Sequence, residues 1–416
     1  MKSLALFLFV IATLFGPKLG FVDLSFFLGA TIAFFLAFIE NTEKKTEKDL
    51  FINAILFLPY LIYILGVQIY VGVDSPELIL RTLRAFSILI IFLLCAKVIV
   101  KHGRLIMPMV MLSVTAHALF IIAASFNIEL NQFLGAIFGN DRIRPLRSSG
   151  LVSGFDVAGF FCIAGLLAVV TNAYEPKSEI AKYFLSLLFL TACYFSSRVS
   201  MVLAALLFVI LIARSLFIKN VRLSQKIIAF IVLAPIAGFM LQEILIIFEV
   251  AFTLGIITID NYTSQRVVER FATATIEDGG LISMYFLPAS YLQLFFGAGT
   301  DTLNSDVGYV KFLFWHGIFG FFLMICIIGH LLFKSIKNLR TGPQAKRERV
   351  FIICIYFMVF LMTLKNNYLL TRGIWSLLIL LHLHSCWRSR IEAQKYNGNT
   401  TNNLKNGIVV KHSFRA

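Results

Sequence analysis

Long apolar runs recur along the whole chain and restrict the folds that it can adopt. An α-helix needs about 20 predominantly apolar residues to cross a bilayer, and several runs reach that length. Of the 416 residues, 59% are hydrophobic and only 14% are charged. Because backbone polar groups in lipid must be bonded within the protein, this pattern predicts an all-α integral membrane protein. We expect one polytopic transmembrane domain over residues 1–387.

Polar breaks between the apolar runs predict a bundle of about 12 transmembrane helices. The expected spans are 3–16, 21–40, 51–72, 79–100, 105–126, 151–172, 182–196, 200–218, 227–247, 308–333, 350–366 and 374–387. The first run follows Met1 and Lys2 and resembles a signal peptide. It lacks a small-residue cleavage site before Pro17, so we interpret it as the first transmembrane helix.

Positive charge predicts the orientation of the bundle, because cytoplasmic connections of membrane proteins are enriched in Lys and Arg. With the N-terminus inside, alternate connecting segments face the cytoplasm, most of them rich in Lys and Arg, and both termini are cytoplasmic. These segments are 41–50, 101–104, 173–181, 219–226, 334–349 and the solvated basic tail 388–416. Two periplasmic loops, 127–150 and 248–307, are long enough to form structure. Loops of this size are usually functional.

The cations predicted on the outer side are mostly arginines. Of the 37 Lys and Arg residues, 25 fall inside, as 9 Arg and 16 Lys, and 12 fall outside, as 9 Arg and 3 Lys. The outer arginines are Arg81, Arg84, Arg142, Arg144, Arg147, Arg198, Arg266, Arg270 and Arg372. A planar guanidinium group can bind phosphate or carboxylate at two points. This bias predicts an anionic ligand at the outer face.

The alternative is that these arginines reach lipid headgroups or form ion pairs within the protein. For the long loops, the available acids are Asp141, Asp260 and Glu269. Arg81 and Arg84 could pair with Glu77.

The local settings of the outer arginines suit a phosphate ligand. Three of them, in the sequence NDRIRPLRSSG, precede helix 151–172, whose first amides could bind the same anion. Arg266 and Arg270 are four residues apart and would share one face of a helix. Arg198 lies in the short turn between two apolar helices, which keeps its side chain close to the bundle.

The segment after the second loop supplies candidate proton acceptors. Asp301, Asp306 and His316 could accept the proton of an attacking hydroxyl, although a helix histidine bonded to a neighbouring carbonyl is an alternative for His316. The sequence has no paired DxD motif, no HExxH motif and no glycine-rich phosphate loop, so we expect neither a metal nor another cofactor. The six cysteines lack the spacing of a metal site and suit packing.

Three short motifs resemble a known family. They are SSGLVSGFDVAG after the first long loop, SSR between two helices, and FGAGTD followed by SDVGYVKFLFWHGIFG. Together they resemble the bacterial O-antigen polymerase and O-antigen ligase superfamily. The resemblance implies a GT-C-like bundle in the bacterial inner membrane that acts on glycans carried by undecaprenyl pyrophosphate at the periplasmic face. It also implies membrane lipids, a chain-length regulator and a flippase as partners, and no nucleic acid.

The motifs favour the polymerase branch. Ligases of the superfamily have a His-Asn pair where this chain has Ser305 and Asp306. Polymerases have been described with a glycine eleven residues after an arginine in two outer loops; here Ala158 and Leu281 stand at those places, so no residue roles are transferred from that motif. A ligase, a flippase and an unrelated membrane protein remain alternatives. Transport is disfavoured because few ionisable residues, mainly Asp156 and His117, lie deep in the predicted helices and no internal repeat is visible.

Overall fold

The computed structural model describes most of the chain, with gaps. The described residues are 2–19, 22–40, 48–71, 77–140, 144, 146–176, 178–217, 287–288, 290–299, 308–339, 342–363 and 368–405. The predicted helix 227–247 and most of the loop 248–307 lie outside them.

Helices dominate the described part of the chain, and the first half already alternates helices with short connections. Its elements are α1 (Lys2–Phe15), β1 (Lys18–Leu19), β2 (Val22–Asp23), α2 (Leu24–Glu40), α3 (Lys48–Val71), α4 (Glu77–Lys101), a short 3-10 helix (Gly103–Leu105) and α5 (Ile106–Phe126). The strands β1 and β2 form a two-stranded antiparallel pair in which Lys18 lies opposite Asp23. This pair closes the connection between α1 and α2.

The second half continues with helices. They are α6 (Ile128–Phe138), α7 (Phe155–Val170), α8 (Glu179–Ser196), α9 (Arg198–Phe217), α10 (Tyr291–Phe296), α11 (Gly308–Asn338), α12 (Pro343–Met362) and α13 (Ile374–Lys405). Asn127 caps the N-terminus of α6 by accepting a hydrogen bond from the Leu130 amide at 3.0 Å, and Gly139 ends this helix with a φ of 74°.

Five of the described helices are long and apolar enough to cross a membrane. They span Lys48–Tyr70, Leu78–Lys101, Gly103–Phe126, Glu179–Ser196 and Gly308–Asn338. Shorter apolar helices occur at Ser3–Phe15, Phe26–Leu36, Phe155–Val170 and Val199–Ile210. The prediction of a helical, multi-pass membrane protein is confirmed at this level.

The predicted spans in the described part of the chain coincide with helices, but several boundaries differ. The loop predicted at 127–150 contains α6, whose capped N-terminus gives it a defined start. The last span was predicted to end at 387, whereas α13 continues to Lys405. The segment 388–405, predicted as a solvated tail, is thus part of this helix. A polar sequence can extend a helix that apolar packing has already started.

The first part of α13 lies at the centre of the bundle. Residues 373–386 are buried, and α13 contacts α11, α4, α1, α12 and α5. The outer surface instead carries large apolar side chains such as Phe34, Phe38 and Phe357, which are 71%, 78% and 63% exposed. Exposed apolar side chains of this size suit contact with lipid.

The helix α11 is broken near its start. Gly317 has φ 62° and ψ −178° inside an otherwise helical segment, a conformation that only glycine adopts readily. The break divides α11 into an upper part, 308–316, and a lower part, 317–338. The short helix α10 packs against α11, and its last turn lies at the break.

Candidate functional site

One carboxylate joins three distant parts of the chain. Asp23, at the end of β2, accepts a hydrogen bond from Arg84 Nη1 through Oδ2 at 3.2 Å. Its other oxygen, Oδ1, accepts one from Arg372 Nη1 at 3.1 Å. The carboxylate side chain is 13% exposed, and the arginine side chains are 24% and 9% exposed. We call these three residues, with Arg81, the Asp23 cluster.

Local packing positions both arginines of this cluster. Arg84 lies near the start of α4, and Arg372 lies just before α13. The Trp375 indole donates a hydrogen bond to the Ala85 carbonyl at 3.0 Å, which holds the start of α13 against α4. Gly373, with φ 79°, lies where a Cβ would meet the Leu14 carbonyl oxygen at 2.5 Å, so the turn after Arg372 also packs closely against the end of α1.

The Asp23 cluster brings three guanidinium groups close to one carboxylate. Arg81 and Arg372 lie close enough to Arg84 for their charges to repel it. The Arg81 guanidinium lies over the Trp315 ring at 4.7 Å from the ring centre, a cation–π contact. Among the described residues, Arg372 Nη2 is buried and has no hydrogen-bond partner. A buried N–H group without an acceptor is costly, so an anion at this position would be stabilised.

A second group of the arginines that were predicted on the outer side lies on the connection between α6 and α7. The Arg144 guanidinium lies over the Phe155 ring at 5.4 Å from its centre. Arg144 and Arg147 form an isolated β-bridge, and the Asn131 side chain donates a hydrogen bond to the Arg147 carbonyl at 2.8 Å. The next amide, of Ser148, bonds to the Phe195 carbonyl at 3.0 Å. The backbone at both arginines is therefore fixed against α6 and α8.

A polar contact joins α7 to Ser197, the residue before Arg198. Asp156, in the first turn of α7, accepts a short hydrogen bond from the Ser197 hydroxyl. Arg198 follows and begins α9, as the predicted short turn requires. The Tyr368 hydroxyl is buried and has no hydrogen-bond partner among the described residues. It lies within electrostatic range of Asp156.

The segment 368–373 links the Asp23 cluster to Asp156. Its first residue, Tyr368, lies near Asp156, and Arg372, four residues later, binds Asp23. The amide of Thr371 bonds to the Tyr368 carbonyl at 3.2 Å, which makes this segment a compact turn. Sequence reasoning singled out Arg372 but missed both Tyr368 and Asp23.

His316 is placed at the break in α11 and is fully buried. Its Nδ1 and the Tyr60 hydroxyl are hydrogen-bonded at 3.0 Å, and its ring packs on Phe312 with centres 4.1 Å apart. For His316, the sequence left two possibilities: a catalytic role, or a hydrogen bond from its ring to a neighbouring carbonyl. The observed ring partner is instead a tyrosine hydroxyl from α3.

Several predicted site residues lie outside the described residues. They are Arg142, Arg266, Arg270, Asp301, Asp306, the side chain of Arg198, and the predicted acidic partners Asp141, Asp260 and Glu269. The side chain of Glu77, the predicted alternative partner of Arg81 and Arg84, also lies outside the described residues. The described acid paired with Arg84 is Asp23, which the sequence did not single out. In the part of the chain that the structure describes, no group of three or more His, Cys, Asp or Glu side chains could hold a metal ion.

The opposite end of the bundle has polar contacts that the sequence reading missed. Lys334 pairs with Asp49 at 2.7 Å, and Arg388 binds Glu348 through two nitrogens at 2.7–3.1 Å. Further contacts there are Asn53 with His330, Ser335 with His382, and His384 with Glu348 and the Gly103 carbonyl. The acidic and basic residues paired here lie in the predicted cytoplasmic segments, and the sequence alone did not reveal which of them are partners.

A scan against models of known protein families finds no match to this chain, and a search of curated proteins finds none. Function is therefore inferred from the site geometry and from the motifs of the sequence.

Proposed function

We propose that this protein is a membrane glycosyltransferase that polymerises lipid-linked oligosaccharide repeat units. It would transfer the growing glycan from undecaprenyl pyrophosphate onto the next lipid-linked repeat at the periplasmic face of the bacterial inner membrane. The product would be O-antigen or a related surface polysaccharide. The observation that carries this proposal is the Asp23 cluster, in which two guanidinium groups share one carboxylate and Arg372 Nη2 has no partner among the described residues.

The proposed reaction explains why fixed cations are useful. A hydroxyl of the acceptor sugar attacks the anomeric carbon of the donor, and the bond from that carbon to the pyrophosphate oxygen breaks. Negative charge develops on the departing pyrophosphate, and preorganised guanidinium groups stabilise that charge in a site of low dielectric constant. Arg372 is 9% exposed, so water competes little for its N–H groups. The proposed mechanism uses Arg81, Arg84 and Arg372 for this purpose.

The second arginine group suits the same chemistry. Arg144 and Arg147 are held on a connection packed against α6 and α8, and the proposal includes Arg142, Arg198, Arg266 and Arg270 as further pyrophosphate ligands. The tail of the lipid carrier would run along the apolar surface of the helices, where side chains such as Phe34 are exposed.

The proton of the attacking hydroxyl needs an acceptor. The proposed candidates remain Asp301, Asp306 and His316. Asp301 follows Gly299 by two residues, and Gly299 is held by a hydrogen bond from the Gln68 side chain to its carbonyl at 2.6 Å. His316 is buried and bonded to Tyr60. The two carboxylates are therefore favoured over the histidine as the group that receives the proton.

The polymerase is preferred to a ligase or a flippase. Ser305 and Asp306 stand where ligases of the resembling superfamily have His-Asn. Against transport, the polar contacts between α3 and α11 form two separate groups. The inner group contains Asn53 and the outer group contains Tyr60, and the buried apolar Phe57 lies between them on α3. Among the described residues, the contacts between α3 and α11 therefore do not form a continuous polar path, as passage of a charged head group would require.

The finer architecture belongs to the same proposal. It includes about 12 spans in a GT-C-like bundle, cytoplasmic termini, and cooperation with a chain-length regulator and a flippase for the lipid-linked unit.

The test is reconstitution of the purified protein in lipid nanodiscs with undecaprenyl-pyrophosphate-linked repeat units. Products are resolved by gel electrophoresis and mass spectrometry. The proposal predicts lipid-linked oligosaccharides that are longer by whole repeat units and release of undecaprenyl pyrophosphate. Folded protein that binds the substrate but never elongates it would contradict the proposal.

A further inference from the structure

The break in α11 leaves backbone carbonyl groups without helical partners. In an intact helix, the carbonyls just before position 317 would accept hydrogen bonds from amides four residues later. At Gly317 the backbone leaves the helical conformation, and the carbonyls at the end of the upper part of α11 lose those donors. In a membrane protein, such groups must find other partners within the protein.

The residues that follow α10 supply one of those partners. The Ala298 amide donates a hydrogen bond to the Phe314 carbonyl at 2.6 Å. Gly297, with φ 81°, lies so close to the break that a Cβ on it would be 2.7 Å from the Trp315 carbonyl oxygen. Residues 296–299, the FGAG turn, therefore dock directly on the broken helix.

Tyr63 of α3 links the FGAG turn to the break. Its hydroxyl lies 2.8 Å from the Phe296 carbonyl oxygen and 2.8 Å from the His316 carbonyl oxygen. Each of these carbonyls ends a helix, α10 in the first case and the upper part of α11 in the second. A tyrosine hydroxyl has one proton, so this proton is shared between the two helix ends.

We propose that Tyr63 is a positioning residue for the glycan transfer: it holds the FGAG turn against the break in α11. Gly299 is the last described residue of this turn, and the chain continues from it to Asp301. Because Asp301 follows Gly299 by two residues in the sequence, a displacement of Gly299 would also displace that candidate. This inference rests on the proposed function for its catalytic consequence, although the docking itself does not.

The Asp23 cluster and Tyr63 make different contacts, so a change at Tyr63 can affect the transfer reaction separately from substrate binding. The described hydrogen bonds of Arg84 and Arg372 are made to Asp23, whereas the Tyr63 hydroxyl contacts backbone carbonyls of the turn and the break. Loss of the Tyr63 hydroxyl should leave the binding of the pyrophosphate intact and displace the groups that act on the hydroxyl. Small displacements of reacting groups lower turnover strongly.

The first experiment measures the docking without any substrate. Spin labels are attached to cysteines introduced at Ile69 on α3 and Tyr291 on α10, which are 80% and 83% exposed, in a background without other cysteines. Pulsed electron resonance then gives the distance distribution between them. The proposal predicts a narrow distance distribution in the parent protein that becomes broad in Tyr63→Phe. The distribution should stay narrow in Tyr60→Phe, because the described hydrogen bond of the Tyr60 hydroxyl is to His316 and not to the turn. An unchanged distribution in Tyr63→Phe overturns the proposal.

The second experiment measures kcat and KM for elongation in nanodiscs. Tyr63→Phe should lower kcat about tenfold or more, with KM for the lipid-linked repeat within about twofold of the parent protein. The matched control is Tyr70→Phe on the same helix, since Tyr70 is 77% exposed. A rise in KM with unchanged kcat would contradict a positioning role. If the parent protein elongates nothing, the proposed function fails, and the distance measurement alone decides whether Tyr63 holds the turn.

Discussion

Asp23 and Arg372 are separated by 349 positions in the chain, and their side chains meet at 3.1 Å. The second oxygen of the same carboxylate binds Arg84. The short β1–β2 pair, the start of α4 and the turn before α13 are thus joined at one acid. Each guanidinium group makes one hydrogen bond to this acid. Among the described residues, Arg372 Nη2 has no partner and is placed to bind another anion.

Replacement of Asp23 by Asn should destabilise the fold. Two guanidinium groups that are mostly buried would lose their charge partner, and breaking a buried ion pair costs on the order of 3 kcal/mol. Thermal unfolding in detergent measures the effect. The control is Glu175→Gln, since Glu175 pairs with Arg347 at the surface and is 60% exposed; this change should cost less than about 1 kcal/mol. Equal effects of the two changes would show that Asp23 is not a structural junction.

Replacement of Arg372 by Lys should impair elongation while the fold persists. Lysine keeps the charge that pairs with Asp23 but lacks the second nitrogen that Arg372 presents without a partner. We expect KM for the lipid-linked repeat to rise about tenfold and the unfolding temperature to change little. Arg347→Lys, on the exposed ion pair, is the control. Unchanged kinetics in Arg372→Lys would reduce this arginine to a packing role.

Replacement of Gly317 by Ala should destabilise the protein and impair elongation, because it disrupts the docking of α10 at the break in α11. A Cβ at Gly317 would overlap the Gly297 amide nitrogen and the Phe295 carbonyl oxygen, and the positive φ adds strain. Gly329 lies on the same helix and has nothing within 4 Å of its Cβ position. Gly329→Ala should therefore be neutral or stabilising by up to about 1 kcal/mol. Thermal unfolding and elongation are measured for both, and a tolerant Gly317→Ala protein would refute the tight docking of α10.

Replacement of Tyr60 by Phe should destabilise the protein by about 2 kcal/mol. The change removes the hydroxyl bonded to His316 Nδ1 at 3.0 Å and leaves a fully buried ring nitrogen without that partner. Tyr70→Phe on the same helix should have no measurable effect, because Tyr70 is 77% exposed. Urea unfolding in detergent gives both values. Indistinguishable curves for the two variants would mean that the Tyr60–His316 bond does not contribute to stability.

The positions of the helices could be predicted from the sequence because apolar length alone decides which segments can lie in a membrane. The predicted span 105–126 and the observed α5, Ile106–Phe126, differ by one residue. Where a helix continues into polar sequence, as α13 does after 387, hydropathy gives no signal. The break at Gly317 was also missed, because glycine in a membrane helix equally serves close packing.

The partners of the charged residues could not be predicted, because pairing depends on which helices are neighbours. Pairing of Arg84 with Glu77, whose side chain lies outside the described residues, was one alternative. The described acid partner of Arg84 is Asp23, in a different element. Asp23 itself lies in a short connection, and its neighbours in the sequence do not indicate that it pairs with two arginines. Tyr63 likewise looks like one more aromatic residue of an apolar helix until its two carbonyl partners are known.

The most direct test of the polymerase proposal is electrophoresis of the cell-surface glycan after deletion of the gene. We predict that the mutant keeps the core bearing a single repeat unit and loses the ladder of longer chains. The gene for the parent protein should restore the ladder, and the Arg372→Lys gene should restore it poorly. Loss of the single-repeat band as well would contradict the proposal, because that result requires a defect in ligation or in transport of the lipid-linked unit.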